Sequence, residues 1–330
     1  MADQRARARA DARARKTGHA DLSAYRRILD SAGPTDWRAY TDLTTESTVV
    51  ALLADGEPVA AAPEGQIVAV VLDVTPFYAE SGGQAADAGH LTGPDGAAEV
   101  IDVQRPIKGL VVHHVRVTGG ELTVGSRLTA QVDPRWRLGA RQAHSGTHVL
   151  HAALRQVLGP TALQSGSYNR PGYLRLDFAW PGSLSPATRS EIEDVANQAL
   201  RDDLPVTARI MPLARAREIG ALALFGETYD EQVRVVEIGG AWSRELCGGT
   251  HVSRSSQIGV LALTGESSVG TGHRRVEAVV GLDGMRYLAR ERDLVTQLAA
   301  QLQAPREDLP ARITALLDRA RAAERRADQL

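Results

Sequence analysis

Between residues 40 and 132 the chain alternates short runs of branched apolar residues with turn signals. The runs are STVVALL (47–53), QIVAVVLDV (66–74), AEVIDV (98–103), LVVHHVRV (110–117) and SRLTAQV (126–132). Asp55-Gly56, Gly82-Gly83, Gly93-Pro94-Asp95-Gly96 and Gly119-Gly120 punctuate them. Several short strands at this spacing predict a small β-barrel or sandwich. The polar, glycine-rich stretch TPFYAESGGQAADAGHL (75–91) cannot be a strand throughout; it is a connection or the wall of a site. His113 and His114 fall in one strand, where neighbours face opposite ways, so they cannot share a site.

After residue 132 the period becomes helical. Asp133 is a natural N-cap, Pro134 suits the first helical position, and Gly159-Pro160 stops the element. Leu150, Ala153, Leu154, Val157 and Leu158 give its later turns a buried stripe. A strand pair is expected in 163–180, a helix over 185–203, and strands at 206–212, 233–239, 258–269 and 273–281. Helices mixed with mainly antiparallel strands make this second unit α+β. Two helices follow, over 283–303 and from 308. Leu294, Leu298, Leu302, Leu309, Ile313, Leu316 and Leu317 are spaced along them like the start of a coiled-coil seam. That helix offers a surface for self-association, and it reaches Leu330 without a cap, as an interrupted element would.

Composition narrows the class. The 330 residues suffice for two or three domains. With 4% aromatics, alanine, leucine and valine must fill the cores. The net charge of −2 is unevenly spread: residues 1–16 hold five Arg and one Lys against two Asp, a net of +4. Residues 1–32 read as a helix that is solvated, touches RNA phosphates, or ends an element begun upstream. No apolar run approaches the roughly 18 residues of a membrane span, and no signal-peptide pattern opens the chain. Cys247 is the only cysteine, which fits a reducing compartment. A soluble, cytoplasmic protein is expected.

The candidate chemistry lies in two pairs. His144 and His148, four apart on the predicted helix, share one face. Cys247 and His251 flank two glycines and a threonine in ELCGGTHV, on a tight turn. A lone H-x3-H is ordinarily two surface histidines. Two pairs, one carrying the sole cysteine, favour a tetrahedral site for one Zn²⁺ per chain. His151 is either a further ligand or a packing residue. Gly146 sits inside the helix, where glycine costs about 1 kcal/mol relative to alanine, so something approaches closely there.

Together TPFYAESGGQAADAG, HSGTHVLHAALRQVLG, ELCGGTHV and GHRRVEAVVG resemble the editing region of alanyl-tRNA synthetases, over roughly residues 20–300. Freestanding alanyl-tRNA editing proteins share its core, and the threonyl-tRNA synthetase editing domain shares the H-x3-H and C-x3-H frame. ALFGETYDEQVRVVEIG (223–239) and KTGHADLSAYR (16–26) favour the full synthetase. Gly146 stands where the family more often has alanine, and His273 where isoleucine is usual. The resemblance implies an end of the tRNA-recognition region over 1–40, a β-barrel over 41–132, a zinc-containing two-layer α+β editing domain over 133–282, and a helical segment over 283–330. The family's ATP-binding motifs have no counterpart here, so tRNA charging by this chain is not expected.

The implied activity is hydrolysis of the ester joining serine or glycine to the 3′ end of alanine tRNA. An alanine pocket cannot strongly reject smaller glycine or a side chain with one added hydroxyl, so a second hydrolytic site is needed. His144, His148, Cys247 and His251 would hold the zinc. Four protein ligands normally mean a closed site, which favours positioning of substrate over water activation. Gln164 matches a pocket position and Thr147 adjoins a ligand; each holds water or substrate, or satisfies backbone. The N–H groups of Gly248 and Gly249 are candidates for an oxyanion. The resemblance sets Thr75 against the misattached side chain, and Arg274 and Arg275 lie where phosphates could be met. The rivals are a zinc-stapled tRNA-binding module without catalysis and a threonyl-type editing hydrolase.

Overall fold

The computed structural model describes residues 22–223 and 229–328. The basic cluster Arg5, Arg7, Arg9, Arg13 and Arg15 lies outside the described residues, as does 224–228 of the ALFGETYDEQ stretch. A helix, α1 (Ser23–Ala32), and a two-residue strand, β1 (Asp36–Trp37), lead into the first sheet. Its strands are β2 (Thr44–Ala54), β3 (Glu57–Val59), β4 (Ala61–Pro63), β5 (Ile67–Leu72), β6 (Val74–Thr75), β7 (Gly89–Thr92), β8 (Gly96–Ile107), β9 (Leu110–Thr123) and β10 (Arg127–Val132), with β6 pairing only to β1.

Six of them close a barrel in the order β10-β7-β8-β9-β5-β2, and β10 pairs back to β2 from Arg127↔Thr48 to Gln131↔Thr44. Closure removes the exposed edges of an open sheet. Register shifts in β2–β5 and β8–β9 bend the long strands around the ring. Val68, Val70 and Leu72 fill the interior, while Ala69 and Val71 on the other face of β5 lie under Ala24, Tyr25 and Ile28 of α1. Both faces of β5 are covered, which explains its unbroken apolar run. The sixth strand, β7, comes from the stretch read as a loop. Its Gly89-His90-Leu91-Thr92 alternates buried and exposed positions, but contributes one large apolar side chain.

The second unit holds α2 (Pro134–Leu158), β11 (Gln164–Arg170), β12 (Tyr173–Ala179), α3 (Pro186–Arg201), β13 (Val206–Pro212), α4 (Leu213–Glu218), β14 (Gln232–Ile238), β15 (Ser243–Leu246), β16 (Leu261–Gly270) and β17 (His273–Val280). Asp133 accepts from the N–H groups of Arg135 and Trp136, as an N-cap should. Helices α2 and α3 lie over the antiparallel sheet β11-β12-β17-β16, and β13-β14-β15 form a second antiparallel sheet. Leu174, Leu176 and Phe178 are wholly buried between the layers, and each contributes about 1.5–3 kcal/mol of burial. At Gly146 the helix lies close against the sheet. A Cβ there would lie 3.0 Å from Leu174 and 3.1 Å from Val280.

The chain continues into α5 (Gly281–Leu302) and α6 (Leu309–Ala327), parted at Gln303, whose φ is 48°. Along the apolar stripe Leu309 is buried, whereas Leu294, Leu298, Ile313, Leu316 and Leu317 are exposed. Among the described residues no helix is long and apolar enough to cross a membrane.

One buried ion pair binds the two units. Arg137, in the first turn of α2, is 1% exposed and Asp87, in the loop before β7, is 0% exposed. Arg137 Nε donates to both Asp87 oxygens at 3.1 and 3.0 Å, while its terminal nitrogens donate to the carbonyls of Ala39 (2.6 Å) and Pro76 (2.7 Å). Asp87 also accepts the Tyr78 N–H at 2.7 Å. Arg137→Met should therefore strand a buried carboxylate and destabilise the protein by about 3–5 kcal/mol. Denaturant unfolding followed by tryptophan fluorescence checks this; a loss under about 1 kcal/mol, the level of a surface pair, contradicts it.

Candidate metal centre

Two elements build the centre. Helix α2 presents His144 and His148 on one face, and the turn after β15 presents Cys247 and His251. One donor atom from each lies within 4.8 Å of the others. Cys247 Sγ is 3.4 Å from Nε2 of both His144 and His251. Tetrahedral bonds of about 2.3 Å to sulfur and 2.0–2.1 Å to nitrogen would put S and N about 3.5 Å apart. The donor set and its spacing therefore fit a metal ion.

The outer nitrogens of the rings fit as well. His144 Nδ1 is 2.8 Å from Gln84 Oε1, His251 Nδ1 is 3.1 Å from Ser145 Oγ, and His148 Nδ1 is 3.6 Å from Glu245 Oε2. Oxygen partners behind metal-binding imidazoles hold ring orientation and tautomer; His144 and His251 have one within hydrogen-bond reach, while His148 Nδ1 is at ion-pair distance only. Gln84 does more. Its Oε1 also accepts the Thr250 N–H at 2.8 Å, and its Nε2 donates to Thr250 Oγ1 at 2.9 Å. His151 does not join the cluster: its Nδ1 meets Glu245 at 2.9 Å and its Nε2 accepts the Gln164 N–H at 3.1 Å.

Electrostatics prepare the thiol for ligation. Burial alone would raise the Cys247 pKa, yet His144, His148 and His251 hold it well below the usual thiol range. The thiolate is the ligating form. Burial would lower His148, but Glu245 and the Cys247 sulfur push it up to about 9. Burial takes His251 down to about 3. Burial also opposes ionisation of Glu245, but His148 and then His151 keep it below the usual carboxylate range.

Beside the cluster is a cavity of about 120 Å³, lined by Ser81, Gly82, His144, Thr147, His148, Gln164, Ser167, Tyr229, Glu245, Leu246, Cys247 and Gly248. Thr147 and Gln164 thus share this cavity with His144, His148 and Cys247. Thr147 Oγ1 donates to the Ala143 carbonyl (2.9 Å), which leaves its oxygen free to accept; Gln164 Nε2 donates to Ser167 Oγ (3.1 Å). The two glycines differ. Gly248 lines the cavity, whereas the Gly249 N–H turns to the Cys247 sulfur at 3.4 Å. A Cβ on Gly249 would fall 1.9 Å from the His144 ring.

Three expected substrate residues stand elsewhere. Thr75 is wholly buried, and its hydroxyl is 2.7 Å from His113 Nε2. His113 Nδ1 lies 3.0 Å from the Val70 carbonyl, so it carries the ring proton, and Nε2 receives the Thr75 hydroxyl. Thr75 also accepts the Phe77 N–H at 3.2 Å, and it does not line the cavity. On β17, Arg275 grips Asp177 at 2.7 and 2.8 Å, and Arg274 pairs with Glu266. Neither lines the cavity, because each is held by a carboxylate in its own sheet. The residues that the sequence reading missed are Gln84, Ser145, Ser167 and Glu245. Gln84 and Glu245 stand inside the quoted motifs TPFYAESGGQ and ELCGGTHV, but nothing in their spacing marked them as partners of histidines.

Comparison with known proteins bears on this geometry. A family model for class II (A) tRNA synthetases matches residues 1–136, and one for the threonyl and alanyl tRNA synthetase second additional domain matches 233–277. The chain is 56% identical over 326 residues to the alanine–tRNA ligases of Leifsonia xyli subsp. xyli and of Clavibacter sepedonicus, which takes in 99% of this chain and 37% of each relative. The alanine–tRNA ligase of Mycolicibacterium smegmatis is 53% identical over 338 residues, 100% of this chain and 38% of its own length. The chain belongs to the alanine–tRNA ligase family. It spans little more than a third of the length of these relatives. Within this alanine–tRNA ligase region, the second additional domain contains Cys247 and His251, whereas His144 and His148 lie between the two matched segments.

Gly249→Ala should displace the His144 ring and lower zinc content, while Cys247→Ala with His251→Ala should abolish it. Elemental analysis of the purified variants measures both. Full zinc occupancy in the double variant would remove these residues from the ligand set.

Proposed function

We propose that this chain is the editing part of an alanine–tRNA ligase, a cytoplasmic hydrolase of the ester in seryl- and glycyl-tRNA(Ala). In this reading 41–132 is the barrel subdomain, 133–282 the editing domain, 283–330 a helical segment, and 1–40 the end of the tRNA-recognition region. The observation that carries it is the small polar cavity sharing His144, His148 and Cys247 with the cluster. At about 120 Å³ it is the smaller of the two cavities beside the 247–251 turn, which suits a small aminoacyl group.

His144, His148, Cys247 and His251 would hold one Zn²⁺. When bound, zinc supplies a fixed positive charge that can orient and polarise oxygen or amine groups. Four protein donors would fill the coordination of such an ion, so handling of water falls to the chain's own groups. Thr147 offers a lone pair to a water or to the substrate's amino group. The Gln164 carbonyl oxygen can accept from the same water, since its amide nitrogen is committed to Ser167. The Gly248 segment borders the cavity, where an oxyanion would meet its N–H. Glu245 aims His148 and, through His151, the Gln164 backbone. Thr75 serves here as a support of the barrel loop, because its proton goes to His113 and one lone pair takes the Phe77 N–H.

The test is deacylation of preformed aminoacyl-tRNA. The zinc-loaded chain should hydrolyse seryl- and glycyl-tRNA(Ala), spare alanyl-tRNA(Ala), and leave seryl-tRNA(Thr) largely intact. Gln164→Ala should slow hydrolysis by about tenfold, the loss of one hydrogen bond that holds the water, with zinc unchanged. No turnover by the zinc-loaded wild type would leave the non-catalytic tRNA-binding reading in its place.

Thr75→Val gives a separate expectation. It leaves the buried His113 Nε2 unpaired, at about 1–3 kcal/mol of stability. Seryl- and glycyl-tRNA hydrolysis should change by the same factor. A loss confined to the seryl substrate would restore Thr75 as a reader of the side chain.

A further inference from the structure

The 247–251 turn has a second cavity at its back. It measures about 750 Å³ and lies between α2, β13, β14 and the segment after β1. His251 and Thr250 line it, so the turn is its partition from the metal cluster. Arg141 and Arg234 also line it, and no carboxylate does. In a chain of net charge −2 such a cavity is a local excess of positive charge.

The two arginines are placed differently. Arg234 Nη1 donates to the carbonyls of Cys247 and Gly249, both at 2.9 Å, and its guanidinium lies 4.2 Å from the Tyr40 ring centre. Tyr40 is anchored in turn by a 2.6 Å hydrogen bond to the Gly248 carbonyl, and it meets Trp37 edge-on at 4.8 Å. Arg105 stacks on Trp37 at 4.7 Å. Arg141 has no ion pair or hydrogen bond among the described residues, so its terminal guanidinium nitrogens, on the cavity wall, are uncommitted. Thr207, Ser253 and Gln142 add neutral polar groups, and Val206, Ala208 and Val236 an apolar floor.

We propose that this cavity binds the phosphodiester backbone of a single-stranded RNA whose 3′ end reaches the metal cluster across the turn, with Arg141 and Arg234 on its phosphates. Arginine suits this task because its planar fork matches phosphate oxygens. The volume is far beyond an isolated phosphate and falls in the range of organic ligand sites. Tyr40 adds an aromatic ring beside Arg234 on the wall, and arginine with an aromatic ring is common equipment for single strands. The proposal rests on the hydrolase reading only for the identity of the strand.

Anisotropy of a 5′-labelled tetraribonucleotide, titrated with the zinc-loaded full chain across a salt series, reads the cavity without turnover. Arg141→Gln should weaken binding about tenfold and lower the slope of log K against log salt by about 0.7, the share of one phosphate on a single strand. Arg141→Lys should keep most of the slope, and Arg286→Gln, the same charge change on exposed α5, should leave it unaltered. Zinc content and circular dichroism confirm that the variants are folded. An unchanged slope in Arg141→Gln, or equal effects of Arg286→Gln, overturns the proposal. So does competition by inorganic phosphate or AMP as strong, mole for mole, as by the unlabelled tetranucleotide, which means a small-anion site only. Binding that follows these expectations with no deacylation by wild type would sink the hydrolase reading and leave the RNA site. Deacylation without any effect of Arg141→Gln on binding would do the reverse.

Discussion

The buried Arg137–Asp87 pair is the constraint on which the rest of the molecule hangs. Its guanidinium joins the first turn of α2 to Asp87 and to two carbonyls from the chain around the barrel. Two charges removed from water repay their desolvation only with close to complete hydrogen bonding, and here the neighbours supply it. His144 and His148 lie two and three turns along the same helix. Fixing the foot of α2 against the barrel therefore fixes where the imidazoles stand relative to the 75–88 loop, and Gln84 of that loop meets His144.

Much of this was legible in the chain. The H-x3-H pair was readable because helix geometry alone puts such residues on one face, and Cys247 because it had no disulfide partner. The Asp133-Pro134 start and the special status of Gly146 followed from local rules, and the helix–sheet approach at Gly146 gives the latter its reason. Other features needed long-range information. Strand β7 is too short to show a period, and its pairing with β8 and β10 makes it a strand. Arg274 and Arg275 look available in sequence, yet Glu266 and Asp177 neutralise them from neighbouring strands. Thr75 stood in a quoted motif, but a motif does not name the partner of a hydroxyl; here that partner is His113, 38 residues on.

The two cavities on either side of the 247–251 turn divide the labour by size and charge. The smaller adjoins the thiolate and imidazoles and suits a compact polar group. The larger has arginines and no acid, which suits an extended anion. Arg234 serves both, since it holds the Cys247 and Gly249 carbonyls while facing the larger cavity.

The carboxamide of Gln84 has a thermodynamic corollary. It belongs to the barrel's loop, but it props a histidine of the other unit and clasps Thr250 beside His251. Any free energy that the seating of this loop lends to a cation at the cluster must be returned by the cation to the seating of the loop, because linkage is reciprocal. Chelation and loop order are then two readings of one equilibrium. A solute that loosens the metal will free the barrel loop, and a lesion that unseats the loop will weaken the metal without touching a ligand.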